Sequence, residues 1–437
     1  MTPRSFQADT PLQALLVEQA LLLARQLEQT AADAPDGQVL AKVEAAAVPA
    51  GRELTRKAVE ATLQAQAEQA EKKGAPGRRC PGCGKCRWPK GHAERAIVTA
   101  AGDARLRRLY LVCPRCGTSA HPLDDRLGLA GFLSPHAQRL VCLAGASWSF
   151  DRAAAHLKEL CGLSVCDNTI RAACHGHGGA MRDWQRDDPA AAAAFQAAAG
   201  DVEFQTDGTA VNTTAGWREM RLSVFAKRGR GRPATGRDDW QQRGLPAPHV
   251  RVLQAGVRTG DQLGPAWRRQ AARLGLRQAS ALTAIADGAR WIWRQLAAHL
   301  PGAAGVLDIY HASARLWAAA NAHFGEGTAA AGAWVEARRA ELLAGGAAGL
   351  LAGLGGDAWA ELRGYFEPHR GHTDYAGRLA CGQSIGSGLV EGACKQVIGR
   401  RLKQTGARWK VRRVERMATL CAVQASGQWE TYWDKAL

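Results

Sequence analysis

From residue 202 onward the chain changes its hydrophobic period in an order that few folds satisfy. Strand-like runs at 202–206, 217–227 and 249–258 come first. A helix-period segment at 261–274 follows, then a strand at 281–286, a helix at 289–299, a strand at 304–309 and several helices from 312 onward. Three strands followed by alternating helix and strand predict an α/β domain whose strands share one sheet.

Acidic residues fall where those strands end. Asp207 closes the first in Phe204-Gln205-Thr206-Asp207-Gly208-Thr209, and Asp287 closes the fourth in Ala284-Ile285-Ala286-Asp287-Gly288-Ala289. The C-terminal edges of neighbouring parallel strands form one lip, where ligands usually sit. The glycine after each Asp permits close approach of backbone and substrate. Glu391 lies in Gly386-Ser387-Gly388-Leu389-Val390-Glu391-Gly392-Ala393-Cys394-Lys395, where Val390, Cys394, Val397 and Ile398 mark a helix that packs on the sheet. Each Asp-Gly pair by itself is a turn signal, and Glu391 alone fits an ion pair with Lys395. Together they fit a site for two hard divalent cations, Mg²⁺ or Mn²⁺, which neutralise the attacking and leaving oxygens in phosphoryl transfer. Asp308, in Val306-Leu307-Asp308-Ile309-Tyr310-His311, competes with Asp287 for the second ligand position. Asp308 and His311 are read either as auxiliary site residues or as a helix cap and a core histidine.

Cys80-Pro81-Gly82-Cys83 and Cys113-Pro114-Arg115-Cys116 are two CxxC turns flanking strand-like runs at Arg95 to Ala100 and Leu106 to Cys113. Two such turns complete a tetrahedral Zn²⁺ site and predict a zinc-ribbon-like module over 76–130. Cys86 offers an alternative to Cys80, since Cys83-Gly84-Lys85-Cys86 repeats the spacing. The other cysteines read as small buried residues.

Residues 1–75 read as a helical region ending in the breaker Gly74-Ala75-Pro76-Gly77. Residues 131–190 carry helical segments near 135–145, 150–161 and 167–182, with the joint at Cys161-Gly162-Leu163-Ser164-Val165 fitting a helix-turn-helix. Its second helix would offer Asn168, Thr169 and Arg171 to a major groove, or the pair is structural. An alanine-rich joint at 189–200 leads into the α/β domain over 200–437, with a helical insertion at about 312–380.

The 437 residues carry 57 Lys+Arg against 40 Asp+Glu, a net charge of +17 that favours a polyanionic partner. Basic residues concentrate at Arg78, Arg79, Lys85, Arg87, Lys90, Arg107 and Arg108, in the Arg/Gly-rich loop at 227–237, and in a tail with Arg400, Arg401, Lys403, Arg408 and Trp409. The tail, just after Glu391, is placed to hold DNA near the metals; a charged helix face is the alternative. Trp291, Trp293, Trp317, Trp334 and Trp359 recur at helical spacing with Ala and Leu and read as core. There is no run of about 18 apolar residues and no signal-peptide core, so a cytoplasmic protein with thiol or metal-bound cysteines is expected.

At these motifs the chain resembles the DDE transposases of the ISKra group of insertion sequences, and more loosely the Mutator-like transposases. The matching stretches include Asp207-Gly208-Thr209 with Gly216-Trp217-Arg218-Glu219, Ala286-Asp287-Gly288-Ala289-Arg290-Trp291-Ile292, Asp308-Ile309-Tyr310-His311-Ala312, Gly386 to Lys395 and Gly399 to Trp409. They span roughly residues 78–433. The resemblance implies an RNase H-like catalytic domain with metal bound at Asp207, Asp287 and Glu391. It implies strand cleavage and strand transfer at transposon ends, with transposon and target DNA as partners and a homo-oligomer as the acting form. A nuclease of the same fold without strand transfer, or an inert DNA-binding protein, are the alternatives.

Overall fold

The computed structural model describes residues 9–72, 78–129, 131–235, 240–276 and 282–436. The expected linker Gly74-Ala75-Pro76-Gly77, the first residue of the expected strand at 281 and the end of the Arg/Gly-rich loop at 236–237 lie outside them. The chain is mixed α/β and forms two compact units, residues 1–173 with 436–437, and residues 174–435.

The first unit opens with helices α1 (Pro11–Ala32) and α2 (Val39–Lys72), which pack on each other. Thr10 starts α1 through a capping box with Gln13, satisfying N–H groups that a helix end leaves open. A hairpin of β1 (Trp88–Thr99) and β2 (Gly102–Val112) follows, with a short third strand, β3 (Ser119–Ala120). The reversal falls at Ala100-Ala101, and both strands run longer than the sequence suggests. β3 covers only Leu111 and Val112, so the rest of that edge of β2 needs another partner. Helix α2 supplies it: Glu60 Oε2 accepts the Arg105 N–H at 2.8 Å and Gln64 Oε1 accepts the Arg107 N–H at 3.0 Å. One helical turn separates the two acceptors, one strand pleat pair the two donors, so the helix closes the sheet edge. Ala67, Ile97, Leu106 and Leu123 form the core beneath. Helices α3 (Pro122–Arg126), α4 (Pro135–Ser147), α5 (Phe150–Cys161) and α6 (Asp167–Asp187) come next. Gly162 ends α5 in the left-handed region at φ 67°, and the Leu163 N–H returns to the Leu157 carbonyl. The joint before α6 is thus a tight turn, as expected; Asn168 is exposed and Thr169 and Arg171 half-buried.

In the second unit α7 (Ala190–Ala197) is a helix with Ala191, Ala192 and Phe195 buried, where a joint is expected. A stretch of alanines carries no amphipathic signal, although alanine is the best helix former. Strands β4 (Asp201–Thr213), β5 (Gly216–Arg228) and β6 (Val250–Gly256) precede α8 (Gly260–Arg273), β7 (Leu282–Ala286), α9 (Arg290–His299) and β8 (Ala304–Leu307). The sheet order is β6-β5-β4-β7-β8. β5 is antiparallel to both its neighbours, while β7 runs parallel to β4 and β8 parallel to β7. Helices α10 (Ile309–Phe324), α11 (Ala329–Ala352), α12 (Ala360–Phe366) and α13 (Tyr375–Ala380) separate β8 from α14 (Gly388–Ala393). A π-helical segment, Cys394–Gly399, continues α14 into α15 (Arg400–Leu402); α16 (Val411–Ala425) and α17 (Trp429–Ala436) finish the chain.

Alternation along the strands sorts side chains onto two faces. Phe204, Phe225, Val252 and Ala284 meet Trp267 of α8 and Ile292 and Leu296 of α9 on one. Opposite them, Glu203 accepts the Ser384 hydroxyl, and Gln205 Oε1 accepts the Val390 N–H of α14 at 3.0 Å. Residue 207 follows 203 and 205 on this second face. Trp293, Trp334 and Trp359 pack against the core of α10–α13, as expected of core tryptophans, whereas Trp317 is exposed.

Candidate active site

Register brings the acids into one row, although Asp207 does not end its strand as expected: β4 runs on to Thr213, and Asp207 pairs with Leu222 of β5 just past the last β4–β7 pair. Gln205 pairs with Ile285 in the parallel β4–β7 ladder and Ala286 with Leu307 in β7–β8. Two residues on, Asp207 stands level with Asp287, and one residue on, Asp287 stands level with Asp308. All three have the parity of the α14-facing side, because adjacent strands in register point matching side chains the same way. At about 4.8 Å between strands, the row spans roughly 10 Å.

Each aspartate is held differently. Asp287 Oδ1 accepts the Ala289 N–H at 2.8 Å, and its carbonyl accepts the Trp293 indole N–H. Asp207 Oδ1 accepts the Gly208 N–H at 2.7 Å. Asp308 is fully buried and caps α10: its carboxylate accepts from the N–H groups of Tyr310, His311 and Ser387. It also holds His311 Nδ1 at 2.5 Å, leaving Nε2 as the ring nitrogen not engaged by Asp308. Burial alone would raise the Asp308 carboxyl, but His311 and the Ser387 N–H outweigh it and keep the group below its ordinary range. The same carboxylate, with Asp287 and Asp207 adding at longer range, raises His311 against the effect of burial.

Glu391 lies in the first turn of α14, where Ser387 donates its hydroxyl to Glu391 Oε1 at 3.2 Å. A cavity of about 450 Å³ opens here, lined by Asp207, Thr209, Tyr310, His311, Glu391 and Lys403 among others. Asp308, His311 and Glu391 bring one ligand atom each within 4.8 Å of one another. Asp207 lines the same cavity but stands outside that trio, and so does Asp287. The trio therefore favours Asp308 over Asp287 as the acid closest to Glu391. The cap reading of Asp308 also holds, while His311 faces the cavity rather than the core.

The glycines beside these acids serve packing. A Cβ on Gly208 would lie 2.6 Å from Glu219 Oε1, and one on Gly288 would lie 2.3 Å from the Tyr365 ring. Gly386 is similar, 2.6 Å from the Tyr310 ring. Protein groups, not a substrate, occupy the space a side chain would need.

Of the basic tail, Arg400, Lys403 and Arg408 are exposed, and the Lys403 ammonium reaches the Thr209 hydroxyl at the cavity rim. Arg401 departs from expectation. It is 3% exposed, with its guanidinium 5.3 Å from the Trp409 ring centre, so it fastens the tail instead of offering charge at the surface. Trp409 is half-buried and joins the end of β4, donating its N–H to the Asn212 carbonyl and accepting from the Thr214 N–H.

Cys80, Cys83, Cys113 and Cys116 gather their sulfurs within 4.8 Å, a geometry compatible with structural zinc. The Sγ atoms of Cys80 and Cys116, and of Cys83 and Cys113, lie 3.4 Å apart, near the edge of about 3.8 Å that a tetrahedron of 2.3 Å Zn–S bonds requires. Both turns close alike: Gly84 and Gly117 stand at φ 70° and 71° and donate to the carbonyls of Cys80 and Cys113. Cys86 is exposed and outside the cluster, which removes it as the alternative to Cys80.

No protein-family model matches the chain, and no curated protein matches it. Among the described residues no helix is long and apolar enough to cross a membrane.

Proposed function

We propose that the chain is a DDE-type DNA transposase with an RNase H-like catalytic domain, cleaving DNA at transposon ends and joining the freed 3′-OH to target DNA. The observation that carries this reading is the row of Asp207, Asp287 and Asp308 just past the last pairs of the parallel β4–β7–β8 ladder, with Glu391 near Asp308. Four acids at one lip suit hard divalent cations. Bound Mg²⁺ or Mn²⁺ would supply charge neutralisation at the attacking and leaving oxygens. Asp308 and Glu391, with Asp207 lining the same cavity, would hold it, and Asp287 would flank them.

The protein's own groups then have distinct tasks. Asp308 fixes the His311 ring, whose Nε2 can hold or pass a proton at the cavity. Lys403, Lys395 and Arg400 would hold phosphates at the rim and steer the strand toward the acids. The four-cysteine cluster would bind Zn²⁺ and keep the ribbon folded, and the turn before α6 would carry a DNA-reading helix.

The test uses purified protein, a plasmid bearing the inverted repeats that flank its gene, and Mg²⁺ or Mn²⁺. Expected are nicks at the repeat ends and covalent joining to a target, both lost in Asp207→Asn and Glu391→Gln. Nicking without joining would reduce the protein to a nuclease, and neither product from any repeat would overturn the reading.

A further inference from the structure

A second cavity of the catalytic unit, about 690 Å³, is lined by arginines from four elements. Arg182 comes from α6, Arg258 follows β6, Arg269 lies on α8 and Arg416 on α16. Arg186 and Arg273 complete the lining, and three of the set are partly engaged: Arg182 pairs with Asp183 at 3.6 Å, Arg186 with Asp183 and Asp187, and Arg273 donates to the carbonyls of Arg186 and Asp188. Glu415 is the one carboxylate in the lining, and the Arg416 Nε is buried without a hydrogen-bond partner.

Gathering this many guanidinium groups is unfavourable unless an anion joins them. Burial lowers Arg258, and the like charges of Arg269 and Arg182 add to it against the opposing pull of Glu415. The packing enforces the cluster. A Cβ on Gly178 would fall 2.2 Å from the Arg416 carbonyl oxygen, so only glycine lets α6 and α16 approach this closely. A Cβ on Gly256 would meet Arg258 Nε at 3.3 Å, so that side chain folds back over the strand end.

Gly208 pairs with Arg221, and Arg221 pairs with Gly256, so β6 ends level with Asp207 two strands away, about 10 Å at about 4.8 Å per strand. The cavity opens on the α8 side of that strand end, where Gln254 bonds Gln270, and the acidic row faces α14 on the other side of the sheet. The volume falls in the range of roughly 300–1,000 Å³ that takes a ligand of several groups.

We propose that this arginine cavity binds successive backbone phosphates of the DNA substrate, on the α8 side of the sheet. Guanidinium forks match phosphate oxygens bidentately. The assignment rests on nucleic acid being the substrate, but not on strand transfer taking place.

The test measures binding of a labelled oligonucleotide by fluorescence anisotropy across a salt series, without divalent cations. Arg182→Gln/Arg269→Gln alters two exposed side chains, and its folding is checked by thermal melting; Arg258→Gln is measured alongside. Losing two phosphate contacts should weaken binding roughly tenfold and flatten the log K against log salt slope by about 1.4–1.8. An unchanged slope in a folded double variant overturns the proposal. So does tight ATP or inorganic triphosphate binding that the double variant loses while its oligonucleotide binding stays intact, since the ligand would then be a small phosphate compound. A flattened slope together with no cleavage by the wild type would end the strand-transfer reading and leave the cavity assignment standing.

Discussion

Asp308 accepts from three backbone N–H groups and a histidine while fully buried, so its side chain is scaffold as well as candidate ligand. Asp308→Ala would strand those donors at the start of α10 and in the loop before α14. Loss of a cap and of buried hydrogen bonds should cost about 2–4 kcal/mol, read as a fall in the urea midpoint. Asp207 and Glu391 are half-buried; Asp207 accepts from the Gly208 N–H and the Cys394 thiol, and Glu391 from the Ser387 hydroxyl. Asp207→Asn and Glu391→Gln should therefore change stability by less than about 1 kcal/mol while lowering strand cleavage by roughly 100-fold or more. Equal loss of activity and stability would mark these residues as structural. Strand alternation made the row itself legible, because the apolar positions of Val202-Glu203-Phe204-Gln205-Thr206-Asp207 assign 207 to the opposite face. Arg401 was not legible: a charge in a basic run reads as surface, and only the seat on Trp409 shows otherwise.

At the scale of elements, α11 breaks at Gly346, whose φ of 62° lies in the left-handed region. A Cβ there would also stand 2.8 Å from the Thr373 carbonyl oxygen. Gly346→Ala should destabilise by about 1–3 kcal/mol, whereas alanine at Gly332 of the same helix, with open space around it, should stabilise slightly. The ribbon makes a separate prediction. Purified protein should carry one zinc per chain by elemental analysis, and Cys113→Ser should lose both the metal and the protease resistance of residues 78–120. Most element positions could be read from period changes and breakers. Helix α7 escaped because polyalanine has no polar face, and the kink in α11 escaped because a lone glycine is ambiguous until its neighbour Thr373 is seen.

For the whole molecule, burial holds His177, His369 and His372 below the ordinary 6.5. Against the raised His311, these three lowered rings leave the unfolded chain binding more protons than the folded one as pH falls through 6.5. Stability is full above that value and declines below it. Urea midpoints measured from pH 7.5 down to 5 should fall from about 6.5 downward. His372 stacks on Trp293 with ring centres 4.1 Å apart, and His372→Gln should make the decline shallower by up to about one proton's worth. A flat profile in the wild type would contradict the burial of these rings. The arginine cavity shows the limit of sequence reading at this scale. Its lining is drawn from α6, β6, α8 and α16, and no local pattern marks residues that only tertiary packing unites.

The acids of the row come from β4 and from the residues after β7 and β8, but Glu391 arrives only after four more α-helices of chain. During synthesis the ribosome thus releases the aspartates well before their final partner. On the proposed reading, a nascent chain carries no complete cutting centre until α14 has docked.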